Sequence, residues 1–178
     1  MKRSIYIFIF GIFLFSIQSC EDKEILLPNN TFEINGEYNG GKIFYIDETG
    51  LHGLIADTSN QLSSSWGSNS TNTGATDLDN GFGKKNTEKI INTLGCYTSN
   101  AACLCNKNYI EGYNDWYLPS LKEIELIGKN TDILNSSYSY WTSSEYSATS
   151  AYFYKKNNSY NMYTNKYNSL RVVPIRSF

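Results

Sequence analysis

Gly112-Tyr113-Asn114-Asp115-Trp116-Tyr117-Leu118-Pro119-Ser120 runs directly into Leu121-Lys122-Glu123-Ile124-Glu125-Leu126-Ile127, and the joint at Ser120 decides how the chain reads. Before the joint lie aromatic residues and a proline. After it, Leu121, Ile124, Leu126 and Ile127 recur at helical spacing and make one apolar face. Ser120 with Glu123 forms a capping box, each side chain satisfying a backbone N–H that the first turn leaves open. A helix therefore starts here.

Upstream, Asn86-Thr87 followed by Glu88-Lys89-Ile90-Ile91-Asn92-Thr93-Leu94 and Gly95 gives a capped start, an apolar stripe and a glycine stop, hence a helix. A further helix is expected from about Ser99 to Tyr109. Earlier still, Lys42-Ile43-Phe44-Tyr45-Ile46 and Leu51-His52-Gly53-Leu54-Ile55-Ala56 flank the turn Asp47-Glu48-Thr49-Gly50, which is a β-hairpin signal. Between Asp57 and Gly83 the chain is rich in Ser, Thr, Asn and Gly around a lone Trp66, too long for an idle connection. Downstream, Tyr140 to Glu145, Ala151 to Tyr154, Tyr160 to Thr164 and Leu170 to Arg176 read as short antiparallel strands with polar turns. Helices in the middle with strands at both ends predict an α+β fold.

The 178 residues, 40% hydrophobic and 18% charged, suit one domain with a core of its own. The formal charge is −2; removing Lys2 and Arg3 of the leader leaves 13 basic residues against 17 acidic ones, a balance of −4. That acidity gives no support to nucleic-acid binding, which needs a basic face. The 15 tyrosines, with abundant Asn, Ser and Thr in the C-terminal half, supply flat amphipathic rings and adaptable hydrogen-bonding groups.

At the N-terminus, Met1-Lys2-Arg3 and the apolar run Ile5 to Ile17 have the layout of a secretory signal, too short for a transmembrane span. Ile17-Gln18-Ser19-Cys20 resembles the lipobox of bacterial lipoproteins, so residues 1–19 are expected to be removed and Cys20 lipidated. Such a protein is anchored to a membrane without crossing it. Glu21-Asp22-Lys23-Glu24 is similar to the acidic stretch of lipoproteins exported to the outer face, which implies display on the surface of a bacterial outer membrane, with the periplasmic face as the alternative. Residues 20–39 read as a tether and 40–178 as the domain.

Beyond Cys20 remain Cys96, Cys103 and Cys105, so at most one bridge forms within the chain in a compartment that permits disulfides. Cys96 with Cys103 is the preferred pair, since the intervening loop is short enough to close; Cys105 is the alternative partner. Zinc ligation by the cysteines is a weaker reading, with a single His in the chain.

Several segments, taken in order, resemble one bacterial family: Gly41 to Ile46 with Gly50-x-x-Gly53-Leu54-Ile55-Ala56, Gly112-Tyr113-x-Asp115-Trp116-Tyr117-Leu118-Pro119-Ser120, Trp141-Thr142-Ser143-Ser144-Glu145, and Arg171-Val172-Val173-Pro174-Ile175-Arg176. The family is that of the C-terminal domain of the Legionella collagen-like adhesin (Lcl) and of the Fibrobacter paralogous domains. The resemblance spans roughly residues 40 to 178 and implies a C-type-lectin-like fold and a binding module. For the adhesin it also implies a homotrimer and sulfated glycosaminoglycans as ligand. That ligand does not transfer, because this domain is acidic, has no collagen-like stalk and carries no dense basic cluster beyond Lys84-Lys85 and Lys155-Lys156. A neutral glycan or a surface protein is the expected partner.

Trp116 and Trp141 are expected in the core. Asp115 and Glu145 sit among aromatic residues and accept hydrogen bonds either from sugar hydroxyls or from loop backbone, and Arg171 and Arg176 are their potential ion-pair partners. Tyr152, Tyr154, Tyr160, Tyr163 and Tyr167, with Asn161 among the surrounding amides, form either a sugar-stacking surface or a cross-strand ladder. Trp66 is a contact residue if exposed and a loop anchor if buried. Asp77-x-Asp79-Asn80-Gly81 resembles the start of a calcium loop, although no bidentate Glu follows at the required place. The only His, His52, has no nucleophile motif beside it, and the helix start at Leu118-Pro119-Ser120 shares only its fold with the formylglycine-generating enzymes. The expectation is a non-catalytic adhesion or binding lipoprotein; an accessory subunit of an outer-membrane assembly comes second and a carbohydrate-active enzyme third.

Overall fold

The computed structural model describes residues 32–178 apart from 60, 97–99 and 159. The signal segment and Cys20 lie outside the described residues. Nine strands and three helices are found there: β1 (Glu37–Tyr38), β2 (Gly41–Ile46), β3 (Gly53–Ala56), β4 (Ser63–Ser64), α1 (Gly83–Leu94), α2 (Ala101–Asn106), α3 (Leu121–Asn130), β5 (Ser139–Glu145), β6 (Ser150–Lys155), β7 (Met162–Asn165), β8 (Leu170–Arg171) and β9 (Ile175–Ser177). The fold is α+β, with strands before and after the helical region.

The first sheet has the order β1-β2-β3-β9, so the last strand returns to pair antiparallel with the first hairpin. In β2 the register slips between Ile43 and Tyr45. This bulge lets the successive residues Phe44 and Tyr45 both reach one core cluster, while Ile43 packs with Trp116 and Ile55. Phe32 and Tyr38 meet Phe178 edge to face, with ring centroids 4.7 and 5.0 Å from it. Residues 32–39, assigned to the tether on composition, therefore belong to the fold: half-buried aromatic contacts outweigh the loop-like look of Asn35 and Gly36.

The second sheet runs β4-β8-β5-β6-β7. Its pairings are antiparallel except that between β5 and β8, which is parallel and departs from the all-antiparallel expectation. Strand β5 is buried along nearly its whole length, and Tyr140 and Trp141 enter different core clusters, so it has core on both faces. Pro174 separates β8 from β9 in what the sequence read as one strand, since its missing N–H breaks a ladder.

The capping box at Ser120 is present in full. By contrast, α1 starts at Gly83, three residues before the expected cap, because Asn86 and Thr87 are buried and turned to other partners. Asn86 Nδ2 donates to the Asp77 carbonyl at 2.7 Å, and Thr87 Oγ1 accepts from the Leu118 N–H at 3.0 Å. Helix α2 is shorter than expected and is capped by Asn100, whose side chain accepts from the Cys103 N–H; Ser99 lies outside the described residues. Cys96 and Cys103 form the disulfide, and Cys105 is a buried free thiol that burial pushes well above its ordinary pKa.

Candidate functional site

The long segment before α1 is not a free loop. The Trp66 indole N–H donates to the Thr142 carbonyl at 2.7 Å, and its ring is fully buried. The Glu145 carboxylate accepts from the backbone N–H groups of Thr73 and Gly74, and its own N–H donates to the Ala75 carbonyl at 2.7 Å. Lys166, wholly buried, places its ammonium 2.5 Å from Glu145 Oε1, 2.9 Å from the Thr71 carbonyl and 4.6 Å from the centre of the Trp66 ring. Ser144 Oγ donates to the Asp77 carbonyl at 2.8 Å and Ser120 Oγ to that of Asp79 at 2.7 Å. The polar residues of Thr142-Ser143-Ser144-Glu145 thus hold the loop against the sheet.

These contacts decide two readings that the sequence left open. Trp66 is a loop anchor, not a surface contact, and Glu145 has its acceptor capacity taken by loop backbone and Lys166, leaving nothing for a sugar hydroxyl. Asp77, read as a calcium ligand with Asp79, is instead paired with Lys89 at 3.1 Å. An ammonium already neutralises that carboxylate, and the Asp79 carbonyl is engaged by Ser120. No group of three or more potential metal ligands occurs among the described residues. Asp115 makes a two-point bond to Arg176, at 2.7 and 3.3 Å. Arg171 donates to the Gln61 carbonyl and lies over the Tyr138 ring, without a carboxylate partner in the expected set. His52 is exposed at the hairpin turn, where its carbonyl accepts from the Asp47 N–H.

The tyrosines divide. The register of β6 with β7 places Tyr152 directly opposite Tyr163. The turn after β5, closed by bonds from the N–H groups of Thr149 and Ser150 to Ser147 Oγ, brings Tyr146 onto the same patch. Tyr146 and Tyr163 stack with centroids 3.7 Å apart and planes 8° from parallel, and Tyr152 meets Tyr146 edge-on at 5.4 Å and 84°. Tyr146 and Tyr163 remain 48% and 51% exposed, so the stack offers ring surface to solvent. Hydrogen bonding to Tyr163 holds the Tyr146 phenol above its ordinary pKa.

Tyr154 leaves this group. It packs against α3, where a Cβ on Gly128 would lie 2.6 Å from its Cζ, so only glycine permits the approach. Tyr160 is 82% exposed and lines a separate cleft with Tyr154 and Asn161, and Tyr167 is exposed. Of the residues proposed from sequence, then, the structure brings together Tyr152 and Tyr163 at one place and Tyr154, Tyr160 and Asn161 at another. Tyr146 and Lys166 were missed. Tyr146 follows the Trp141 to Glu145 segment immediately and could have been joined to the tyrosine set; a lone lysine in a polar stretch carries no signal of burial. Comparison with models of known families and with curated proteins gives no match.

Proposed function

We propose that this chain is a non-catalytic binding lipoprotein, lipidated at Cys20 on the bacterial outer membrane, whose C-type-lectin-like domain holds a neutral glycan on the edge formed by Tyr146, Tyr152 and Tyr163. The observation that carries the reading is the exposed stacked pair Tyr146–Tyr163 braced by Tyr152. Flat rings fixed in place lose little side-chain freedom when a sugar face settles on them. Nearby polar groups supply hydrogen-bonding partners: Ser147, Thr149, Asn165 and Asn168, of which Thr149, Asn165 and Asn168 are exposed.

Support for the finer fold comes from β9 pairing with β3 at the end of the chain, and from the long segment pinned across the second sheet by Trp66, Glu145 and Lys166. The anchor rests on the signal-like leader and the lipobox-like residues before Cys20. Among the described residues no helix is long and apolar enough to cross a membrane. An accessory role in an outer-membrane assembly is the competing reading, favoured by β7, an edge strand that leaves one side of its backbone open to a protein neighbour.

A glycan array probed with residues 25–178, with and without calcium, tests the proposal. Binding to neutral glycans that persists without calcium and disappears in Tyr146→Ala/Tyr163→Ala supports it. A blank array, or binding unchanged in that variant, moves the assignment to a protein partner or another surface.

A further inference from the structure

Helix α3 carries Lys122, Glu125, Leu126 and Lys129 on its outer side. Positions seven residues apart share a helical face, which sets Lys122 and Lys129 about 10 Å apart along the axis. The helix separates two depressions that share Lys122, Glu125 and Lys129. One, about 360 Å³, lies toward the tip of the β6–β7 hairpin, where Lys155, Tyr154, Tyr160 and Asn161 add to these groups. The other, about 550 Å³, is lined in addition by Tyr45, Leu126, Asp79 and Asn80. Lys122 is bonded to Glu125 at 2.8 Å, whereas Lys129 and Lys155 have no carboxylate partner among the described residues.

We propose that this two-lobed groove over α3 docks an acidic segment of a partner protein, its carboxylates meeting Lys129 and Lys155 and an apolar side chain filling the Tyr45–Leu126 lobe. Charge complementarity selects an anionic occupant on an otherwise acidic protein. The neighbouring apolar lobe selects a peptide, whose side chains alternate between charged and apolar, over a uniformly polar acidic glycan. The groove stands apart from the tyrosine edge, since none of Tyr146, Tyr152 and Tyr163 lines it.

The test is fluorescence anisotropy on the full chain with a labelled hexapeptide of two glutamates, two glycines and two leucines in that order. Saturable binding should weaken about tenfold in Lys129→Gln/Lys155→Gln, weaken with added salt, and be untouched in Tyr146→Ala/Tyr163→Ala. Leu126→Asn should also weaken it, and circular dichroism should show α3 retained in both groove variants. Absence of saturable binding, parent-like binding by the lysine variant, or equal competition by oligogalacturonate would each overturn the proposal. The last of these would make the groove an acidic-glycan site.

Discussion

Lys166 has its ammonium between the Glu145 carboxylate, the Thr71 carbonyl and the face of Trp66. Removing one member of a buried pair leaves the other charged and unpartnered, which costs about 3–5 kcal/mol. Lys166→Met should therefore lower unfolding stability in urea by that amount and free the loop around Thr71 to Ala75, and a loss below about 1 kcal/mol would contradict the clamp. Asp115 is governed by opposing influences: partial burial disfavours its charge, but the hydrogen bond and positive charge of Arg176 outweigh this and lower its pKa. A carboxyl depressed in the folded state stabilises the protein above its unfolded pKa, near 4, and that stabilisation is lost as pH falls through the folded value. Melting temperature should accordingly fall below about pH 4, and in Asp115→Asn this part of the fall should be missing.

Helix α3 is the element on which the most local chemistry converges. Ser120 caps it, returns a bond to the Asp79 carbonyl and receives one from the Glu123 N–H, so Ser120→Ala should cost about 1–2 kcal/mol, measured by thermal unfolding. Burial disfavours the Glu123 charge and raises its pKa, yet the carboxylate accepts from the N–H groups of Ser120 and Gly81 and so joins the cap to the preceding loop. At α2, the Cys96–Cys103 bridge closes a short loop, sequence separation 7, for which chain entropy gives about 2.5 kcal/mol; Cys96→Ser should destabilise by close to that figure. This cap, the first hairpin and the disulfide were legible in the sequence because each depends on residues a few positions apart. The start of α1 was not, because Asn86 and Thr87 look like caps until Asp77 and Leu118, distant in sequence, claim their side chains. Trp66 and Glu145 kept two readings each for the same reason: their partners, Thr142 and Lys166, are brought near only by the completed sheet. Tyr152 and Tyr163 of the tyrosine edge were readable from the sequence, while its geometry depends on the β6–β7 register and on the turn that presents Tyr146.

At the scale of the whole molecule, the folded part is stapled at its ends and along its longest loop. The aromatic trio Phe32, Tyr38 and Phe178 joins its first described residues to its last, and the Lys166–Glu145 clamp fixes the loop across the second sheet. What remains facing outward is a neutral tyrosine edge at the margin of that sheet and the lysine-bearing face of α3. The anchoring half of the account predicts that cells fed an alkyne fatty acid label the parent chain and fail to label Cys20→Ser. The binding half, which is the central claim, is tested most directly by proton NMR of a panel of neutral oligosaccharides titrated with the folded domain. Sugars that stack on Tyr146 and Tyr163 should show upfield shifts of their ring C–H protons, lost in Tyr146→Ala/Tyr163→Ala; no shift in any sugar, or shifts that survive in the variant, would contradict it.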